Sequence, residues 1–442
     1  MRLLLCLACL VPLCAQDFSA RFEEIRQKAT PQEMYAFFWD MPKGGDIHHH
    51  LSLSFRPEEV YEVVPHFSVR MGLSNCAGDE GPPLRYRMVS PATLSALPAC
   101  VHADYKKLSD LNGEEKAAWI SALTIDKGYE GRNEFFEVIV NRLTEVARDT
   151  AAMRELLARM LKRYAREKVL YVETQYNAPT QEAADLLRKR LAEQDLASLP
   201  ISVRFQSVAI RFRPDAEEMV ERLYDFNHRN RDLWVGLNMA GREDNTKGNA
   251  LRFLQTFRKM RRKYSGIHLS IHGGEVDAPG PEVRNTLLLG AERIGHGTNL
   301  ISDPDAMLLM RNGRNLVEVN LVSNRLLEYF TDLREHPFPE YLRFGIPVCL
   351  NTDDSGVWDS NLTDEYMLAS KLYNLTWAEI MQIGRNSLQY SFAEPALKQQ
   401  LLDRFEAAVK AFETRYATGD WKSTLATVRP EVSRHAERAI LH

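Results

Sequence analysis

The sequence predicts an α/β protein built on a closed (β/α)8 barrel of the TIM type, with an insertion after the first strand and extra helices at the C-terminus. Two observations carry this prediction. Eight short apolar segments are typical of buried strands, and amphipathic segments of helical length separate most of them. No period of roughly 20 to 50 residues recurs, so solenoids and propellers are not expected. Spacing alone leaves an open doubly wound sheet as the alternative.

The predicted strands and helices alternate along the chain. The strands cover residues 46–51, 169–175, 201–210, 233–239, 267–272, 293–296, 316–320 and 348–352. The helices cover residues 151–168, 214–227, 249–264 and 282–291, and after the eighth strand 363–373, 376–387 and 395–416. The gap between the first two strands exceeds an ordinary loop, so we expect an insertion at about residues 65–130, with helices that cap one end of the barrel.

Composition limits the class of protein and its partners. The chain has 442 residues, of which 45% are apolar and 26% are charged, so it can bury a large core. Its 56 basic and 60 acidic side chains leave a net charge of −4. This balance gives no electrostatic reason to expect nucleic acid as a partner.

The N-terminus is typical of a secretory signal peptide. Arg2 precedes an apolar run over residues 3–13, and a small residue, Ala15, stands before Gln16. We predict a signal peptide over residues 1–15, a short helical segment over 16–40 and the barrel over 41–442, in a secreted or periplasmic protein. The run is shorter than the about 20 residues of a membrane span, so stable membrane insertion is not expected. A buried N-terminal strand or helix is the alternative.

Three cysteines remain once the signal peptide is removed. Cys349 lies in an apolar segment and is expected to be a buried, inert thiol. Cys76 and Cys100 flank a polar stretch of the insertion and can pair in an oxidising compartment, where the cross-link would contribute roughly 3 kcal/mol. Two unpaired thiols are the alternative.

The first candidate ligands lie at the end of the first predicted strand. Side chains alternate along a strand, so His48 and His50 share one face while His49 points to the other. Two imidazoles on one face can bind a single metal ion. Surface histidines at a polar strand end are the alternative interpretation.

The fifth predicted strand ends at His272, and two glycines then turn the backbone and bring Glu275 beside it. A histidine at the carboxyl end of a strand, followed by a carboxylate in the loop, is where barrel enzymes place ligands and acids. His268, four residues earlier, is expected to be a buried core histidine or to support a ligand rather than to be one.

His296 and the pair Asp353 and Asp354 complete the set. His296 stands between glycines at the end of the sixth strand, and the two aspartates follow the eighth. Adjacent carboxylates repel each other unless a cation or a proton separates them, which a metal bound by the first would explain. Three histidines and one aspartate leave a position open for water and favour zinc. The expected chemistry is hydrolytic attack on an electrophilic carbon.

In their order along the chain, these residues resemble the motifs of the adenosine deaminase family. The matching motifs are Met-Pro-Lys at 41–43, His-x-His at 48–50, His-Gly-Gly-Glu at 272–275, Arg-Ile-Gly-His-Gly at 293–297 and Asn-Thr-Asp-Asp at 351–354. The resemblance covers about residues 41–395, and an ordered set is far more specific than one motif. With its signal peptide, its insertion and the segment 318–324, the chain is most similar to the secreted branch, the adenosine deaminase-related growth factors.

The resemblance implies zinc-dependent hydrolytic deamination of adenosine or 2′-deoxyadenosine to inosine or 2′-deoxyinosine, with release of ammonia. It implies one zinc ion per chain, with His48, His50, His272 and Asp353 as ligands. The expected partner is a small-molecule purine nucleoside.

Roles for the other site residues also follow from the resemblance. Glu275 is expected to be protonated and to donate to N1 of the purine, which makes C6 electrophilic. His296 is expected to orient the attacking water and to help deprotonate it, and Asp354 to hydrogen-bond the substrate or the attacking oxygen. The backbone of Gly241 is expected to approach the purine. Ser52 stands where the family usually has an aspartate that contacts the ribose, so we expect an uncharged contact there.

Other functions remain open at this point. The substrate can be another aminopurine, such as AMP or adenine, and the oligomeric state is not predicted. A secreted nucleoside-binding or signalling protein without turnover is a different class. The presence of Glu275, His296 and Asp354 argues against that class, because a pure binder needs no proton donor beside a hydrolytic metal site.

Overall fold

Eleven strands lie in the parts of the computed structural model that are described, residues 18–74, 84–243, 246–313, 315–417 and 419–442. They are β1 (Gly44–Asp46), β2 (Ser68–Arg70), β3 (Met88–Val89), β4 (Tyr105–Lys107), β5 (Val169–Gln175), β6 (Ser202–Ile210), β7 (Trp234–Ala240), β8 (His268–Gly273), β9 (Arg293–His296), β10 (Leu316–Val319) and β11 (Val348–Leu350).

Eight of these strands form one parallel sheet, in the order β1-β5-β6-β7-β8-β9-β10-β11. An isolated parallel bridge between His49 and Asp353 joins the two ends of the sheet and closes it. The prediction of a (β/α)8 barrel is confirmed, and the open sheet is excluded. The strands are buried almost throughout, as expected for a parallel sheet with helices around it.

Helices surround the barrel and extend it at both ends of the chain. They are α1 (Ser19–Lys28), α2 (Pro31–Asp40), α3 (Pro57–Val63), α4 (Pro91–Ala96), α5 (Gly113–Ser121), α6 (Val140–Arg148), α7 (Thr150–Arg166), α8 (Gln181–Leu191), α9 (Gln194–Ala197), α10 (Ala216–Arg229), α11 (Leu254–Lys263), α12 (Glu282–Leu289), α13 (Pro304–Gly313), α14 (Leu321–Leu326), α15 (Phe338–Phe344), α16 (Ser355–Trp358), α17 (Leu362–Tyr373), α18 (Trp377–Gln389), α19 (Pro395–Ala417), α20 (Trp421–Leu425) and α21 (Arg434–Ala439).

Capping residues set where several of these helices begin. The Asp149 side chain accepts the Ala152 N–H before α7, and Thr376 and Glu379 form a reciprocal capping box at α18. Helix α18 packs against β1 and β11, and its Ser387 hydroxyl accepts the Gly45 N–H of β1 at 2.7 Å. Within the described parts of the chain, no helix combines the length and apolar character that crossing a bilayer requires.

The first strand differs from the prediction. The sequence predicts a strand over residues 46–51, whereas β1 ends at Asp46 and the backbone bends at His48. Beyond the bend the pairing continues only as isolated bridges, in which the His50 N–H donates to the Asp353 carbonyl and the Gln175 N–H to the His49 carbonyl. His49 nevertheless points away from its two neighbours, with Nδ1 2.7 Å from Thr174 Oγ1, and the ring centroids of His48 and His50 are 5.7 Å apart, so the predicted grouping holds although the strand is shorter.

The insertion contains a small antiparallel sheet, in the order β3-β2-β4. Cys100 is disulfide-bonded; Cys76 lies outside the described residues, so its pairing with Cys100 stays a prediction. Cys349 in β11 is a buried free thiol, as expected. The predicted signal peptide over residues 1–15 also lies outside the described residues, and α1 and α2 occupy the segment predicted to be helical before the barrel.

Candidate metal centre and active site

Four predicted ligands meet at the carboxyl end of the barrel. One nitrogen from each of His48, His50 and His272 and one carboxylate oxygen of Asp353 all lie within 4.8 Å of one another. Asp353 Oδ1 is 3.4 Å from His48 Nε2 and 3.2 Å from His50 Nε2, and the Nε2 atoms of His50 and His272 are 3.3 Å apart. The structure therefore brings together residues that are up to 305 positions apart in the sequence.

The backbone is strained where it presents two of the site residues. His296 has a φ of 63° and Asp353 a φ of 56°, in the left-handed region that costs a non-glycine residue about 1 kcal/mol or more. Gly295 is required for a different reason, because a Cβ there would lie 2.5 Å from Cε1 of His48. Strain and close approach at this point indicate a site that the surrounding fold holds in place.

Two buried acceptors orient the ligand histidines. Glu318 Oε2 lies 2.7 Å from His48 Nδ1, and Asn238 Oδ1 lies 2.8 Å from His272 Nδ1. Each acceptor holds the ring proton on Nδ1 and leaves Nε2 free to face the cluster. Neither contact is predictable from the sequence, although an acidic residue inside the apolar strand β10 is a usable signal for a role of Glu318.

Glu318 is itself held as a carboxylate. Ser270 Oγ donates to it at 2.8 Å, and Nε of Arg293 lies 2.6 Å from Oε1. Burial opposes ionisation, but the charge of Arg293 and the hydrogen bond from His48 outweigh it and lower the pKa of Glu318. The acceptor behind His48 is therefore negatively charged.

The residues fit a zinc ion. His48 Nε2 and Asp353 Oδ1 are buried and make no hydrogen bond within the described ranges, which a cation among the four ligand atoms would explain. Burial and the neighbouring histidines lower the pKa of His272 far below its ordinary value, so the ring is neutral, as a ligand must be. Three imidazole nitrogens and one carboxylate oxygen are a donor set typical of catalytic zinc.

The three predicted catalytic residues lie beside the cluster. Glu275, His296 and Asp354 are each at most 4% exposed, and Glu275 Oε1 is 3.8 Å from His296 Nε2. Burial, followed by the charges of Asp353 and Glu243, raises the pKa of Glu275 well above its ordinary value, so its carboxyl group is protonated and can donate. Burial lowers the pKa of His296 to about 3, so its ring is neutral.

Asp354 differs from Asp353 although the two are adjacent. Burial, followed by the charge of Asp353, raises the pKa of Asp354, whereas His48 and His50 overcome the effect of burial and lower the pKa of Asp353. Asp354 Oδ1 is buried and has no hydrogen-bond partner among the residues described. This asymmetry agrees with the prediction that only the first aspartate is a ligand.

An ion pair that the sequence analysis missed supports the turn before Glu275. Glu243 accepts the backbone N–H of Gly274 at 3.1 Å and that of Glu275 at 3.4 Å. Arg211 lies 3.4 Å from Glu243 and donates to the His272 carbonyl at 2.6 Å. Gly274 has a φ of 81°, which a residue with a side chain rarely adopts. The pair thereby fixes Glu275 relative to the ligand His272.

The site opens into a cavity of about 760 Å³. Its lining includes an apolar wall and a cationic rim, together with both predicted carboxyl groups: Phe135, Phe136, Val140, Phe212, Gly241, Arg213, Arg242, Lys247, Glu275 and Asp354. Gly241 lines the cavity, and the approach of its backbone to a purine stays a prediction. From the turn after β1, His50 and Leu53 reach the described lining and Ser52 does not, so a ribose contact by Ser52 stays a prediction.

His268 is placed differently from the expectation. It begins β8, at the end of the barrel opposite the cluster, and its side chain is 43% exposed, with Nδ1 3.0 Å from Glu292. The interpretation as a buried core or ligand-supporting histidine is therefore wrong. The prediction placed His268 four residues deeper along the strand than His272, but that position is the first residue of β8, where the side chain is exposed.

Comparison with known proteins decides the family. The family model described as adenosine deaminase matches residues 88–408, more than half of the chain. The chain belongs to the adenosine deaminase family. It is therefore an enzyme that catalyses hydrolytic deamination, as the sequence motifs indicated. Membership of the secreted growth-factor branch stays a prediction.

Individual relatives of this adenosine deaminase family member differ in their stated activities. The chain is 28% identical over 251 residues to an adenosine deaminase of Enterococcus faecalis, an alignment that covers 55% of this chain and 73% of that protein. It is also 28% identical over 294 residues to the N6-methyl-AMP deaminase-L of Xenopus laevis, covering 64% and 82%.

A solved structure supports the same fold. The chain is similar to an amidohydrolase from Burkholderia ambifaria with bound zinc, with a TM-score of 0.64 and 16% identity over 87% of this chain and 94% of that one. At this level of identity the similarity shows the barrel architecture alone.

Proposed function

We propose that the protein is a zinc-dependent aminohydrolase that converts adenosine or 2′-deoxyadenosine to the corresponding inosine with release of ammonia. The observation that carries the proposal is a buried Glu275, whose pKa is raised by burial, beside a cluster of three histidines and one aspartate, within a cavity large enough for a nucleoside. One zinc ion held by His48, His50, His272 and Asp353 would supply a Lewis acid that makes water acidic enough to react near neutral pH.

The protein's own residues account for the remaining steps. The protonated carboxyl of Glu275 donates to N1 of the purine, which draws electrons from C6 and prepares that carbon for attack by water. His296 Nε2 and Asp354 Oδ1 make no hydrogen bond to the described residues and are available to the substrate and the attacking water. The apolar wall, which includes Phe135, Phe136 and Phe212, would exclude bulk water from the purine base of the substrate.

A purine 5′-monophosphate is a second candidate substrate, favoured by the cationic rim of the cavity. Arg213, Arg242 and Lys247 line the cavity together, and the guanidinium of Arg242 is positioned by Asn133 at 2.9 Å and by Glu137, which also lines the cavity, at 3.4 Å. Guanidinium and ammonium groups are the usual protein ligands of phosphate. One relative is named N6-methyl-AMP deaminase-L, and this name gives a nucleotide as its substrate. A nucleotide is therefore included among the candidates for this chain.

A substrate panel tests the two candidates. Purified protein is mixed with adenosine, 2′-deoxyadenosine, AMP, N6-methyl-AMP and adenine, and deamination is followed by ultraviolet absorbance. A kcat/KM for adenosine above that for AMP supports the nucleoside proposal, and the reverse order supports the nucleotide. Absence of turnover with every compound, in zinc-loaded protein, would refute both and favour a binding protein.

We also propose that the enzyme is exported to the cell exterior or periplasm. The positive residue Arg2 and the apolar run over residues 3–13 support this. N-terminal sequencing of the protein recovered from that compartment tests it. A mature chain that begins at Gln16 is expected, and recovery of the uncleaved chain inside the cell would refute it.

A further inference from the structure

A line of buried hydrogen bonds connects the start of α15 to His296. The peptide N–H of Phe338 donates to Nδ1 of His336 at 3.2 Å. His336 Nε2 lies 3.1 Å from Oδ1 of Asn324, and Asn324 Nδ2 lies 3.0 Å from Nδ1 of His296. His336, Asn324 and His296 are each at most 1% exposed, so water does not compete for these bonds.

The first bond sets the direction of the line. A peptide N–H can only donate, so Nδ1 of His336 accepts and carries no proton. Burial lowers the pKa of His336 to about 3, so the ring is neutral and its single proton is on Nε2. His336 therefore donates to Asn324. The opposite orientation of the Asn324 amide would set its N–H against the N–H of His336.

The direction carries through Asn324 to the active site. An amide whose oxygen accepts from His336 presents its NH2 group to Nδ1 of His296. The NH2 group of Asn320 lies 3.2 Å from the same nitrogen and adds a second donor. Nδ1 of His296 is therefore an acceptor, and the one proton of the neutral ring is on Nε2. That atom faces the site and makes no hydrogen bond to any described residue.

We propose that Asn324 and His336 are positioning residues that hold His296 as its Nε2–H tautomer, so that His296 donates a hydrogen bond into the site. This inference rests on the proposed function, because it assigns His296 the task of stabilising negative charge on the attacking oxygen. It replaces the expectation that His296 takes a proton from water. The ring could accept one only at Nδ1, which faces two N–H donors. The water's proton passes instead to Glu275, which is a carboxylate once it has given its own proton to N1 of the purine.

Nuclear magnetic resonance tests the tautomer without any substrate. In zinc-loaded protein labelled with ¹⁵N at histidine, two-bond correlations distinguish protonated from unprotonated ring nitrogens. His296 and His336 are expected to carry their proton on Nε2, whereas His48 and His272, which face acceptors through Nδ1, are expected to carry it there. A His296 ring protonated on Nδ1 would overturn the proposal, whether or not the protein deaminates any substrate.

Two substitutions then test the role of the line in catalysis. Asn324→Asp has the same shape but only accepts, so it should move the His296 proton to Nδ1 and lower kcat about 100-fold, with a smaller change in KM. His336→Leu should lower kcat by removing the donor, and His336→Gln, whose amide can donate to Asn324, should restore activity relative to His336→Leu.

Asn386→Asp is the matched control for a new buried carboxylate. Asn386 lies in α18, where its amide donates to the Val348 carbonyl at 2.9 Å, far in sequence from the line. The substitution Asn386→Asp should lower the melting temperature of the protein and leave the His296 tautomer unchanged. If Asn324→Asp lowers kcat no more than this control does, or if kcat falls while the tautomer stays as in the parent, the positioning role is wrong. Failure of the parent to deaminate would refute the proposed function instead.

Discussion

The carboxylate behind His48 offers the sharpest test of the metal centre. Glu318→Gln keeps the shape of the side chain and removes its charge. In the parent, one oxygen faces His48 Nδ1 at 2.7 Å and the other faces Arg293 Nε at 2.6 Å, and both neighbours are donors. A glutamine has one acceptor for these two donors. Its oxygen should turn to the charged guanidinium, which leaves its NH2 group facing His48.

This reversal should weaken zinc binding. A donor facing Nδ1 favours the tautomer that carries the proton on Nε2, the atom that faces Asp353 at 3.4 Å. Loss of such a supporting contact typically costs 10- to 100-fold in metal affinity, or about 1.4 to 2.7 kcal/mol. The zinc dissociation constant, measured by competition with a chromophoric chelator at fixed pH, should rise by that factor.

Glu292→Gln provides the control for this measurement. It is the same substitution beside a histidine, but the Glu292 carboxylate is 52% exposed and pairs with His268 at the other end of the barrel. Its zinc affinity should equal that of the parent. A Glu318→Gln protein that binds zinc within about threefold of the parent, or a control that weakens equally, would refute the orientation argument.

Three further predictions follow from the site and the core. Glu275→Gln cannot donate a carboxyl proton, so kcat should fall by about 100-fold or more while substrate is still bound, as steady-state kinetics and equilibrium binding will show; a kcat near that of the parent would contradict the assignment. A chelator should abolish activity and zinc should restore it, whereas activity that survives metal removal would exclude the metal centre. Burial raises the pKa of Asp364 to about 7, so the folded chain keeps a proton that the unfolded chain releases above about pH 4, and stability falls as the pH rises toward 7. Asp364→Asn should reduce this fall by up to about 1.4 kcal/mol per pH unit, measured by urea unfolding at several pH values, and an unchanged slope would contradict it.

The sequence predicted the barrel well where periodicity was strong. β5 and β9 have the predicted bounds, because β5 begins with the apolar run 169–172 and β9 ends where Gly297, with a φ of 60°, turns the backbone. β1 was displaced, because its Gly44 and Gly45 have little strand propensity and the conspicuous histidines lie beyond it. The predicted limits of a strand were therefore wrong where the residues serve the active site rather than the pairing of the sheet.

The ligands were predictable because histidines and carboxylates at successive strand ends converge in a parallel barrel. The contacts that support these ligands were not predictable. Glu318 lies 270 positions from His48, and His336 acts on His296 only through Asn324. No local spacing signals such contacts, because only the closed fold creates them.

The position of the metal site implies that a bound ion also stabilises the junction where the barrel closes. β1 and β11 meet through an isolated bridge between His49 and Asp353, and three of the four ligands flank this junction, His48 and His50 on one side and Asp353 on the other, while His272 comes from β8. An ion bound there would link the first and last strands of the barrel. Demetallated protein should therefore loosen first at this junction, with amide hydrogens beside His50 and Asp353 exchanging sooner than those of β6 and β7.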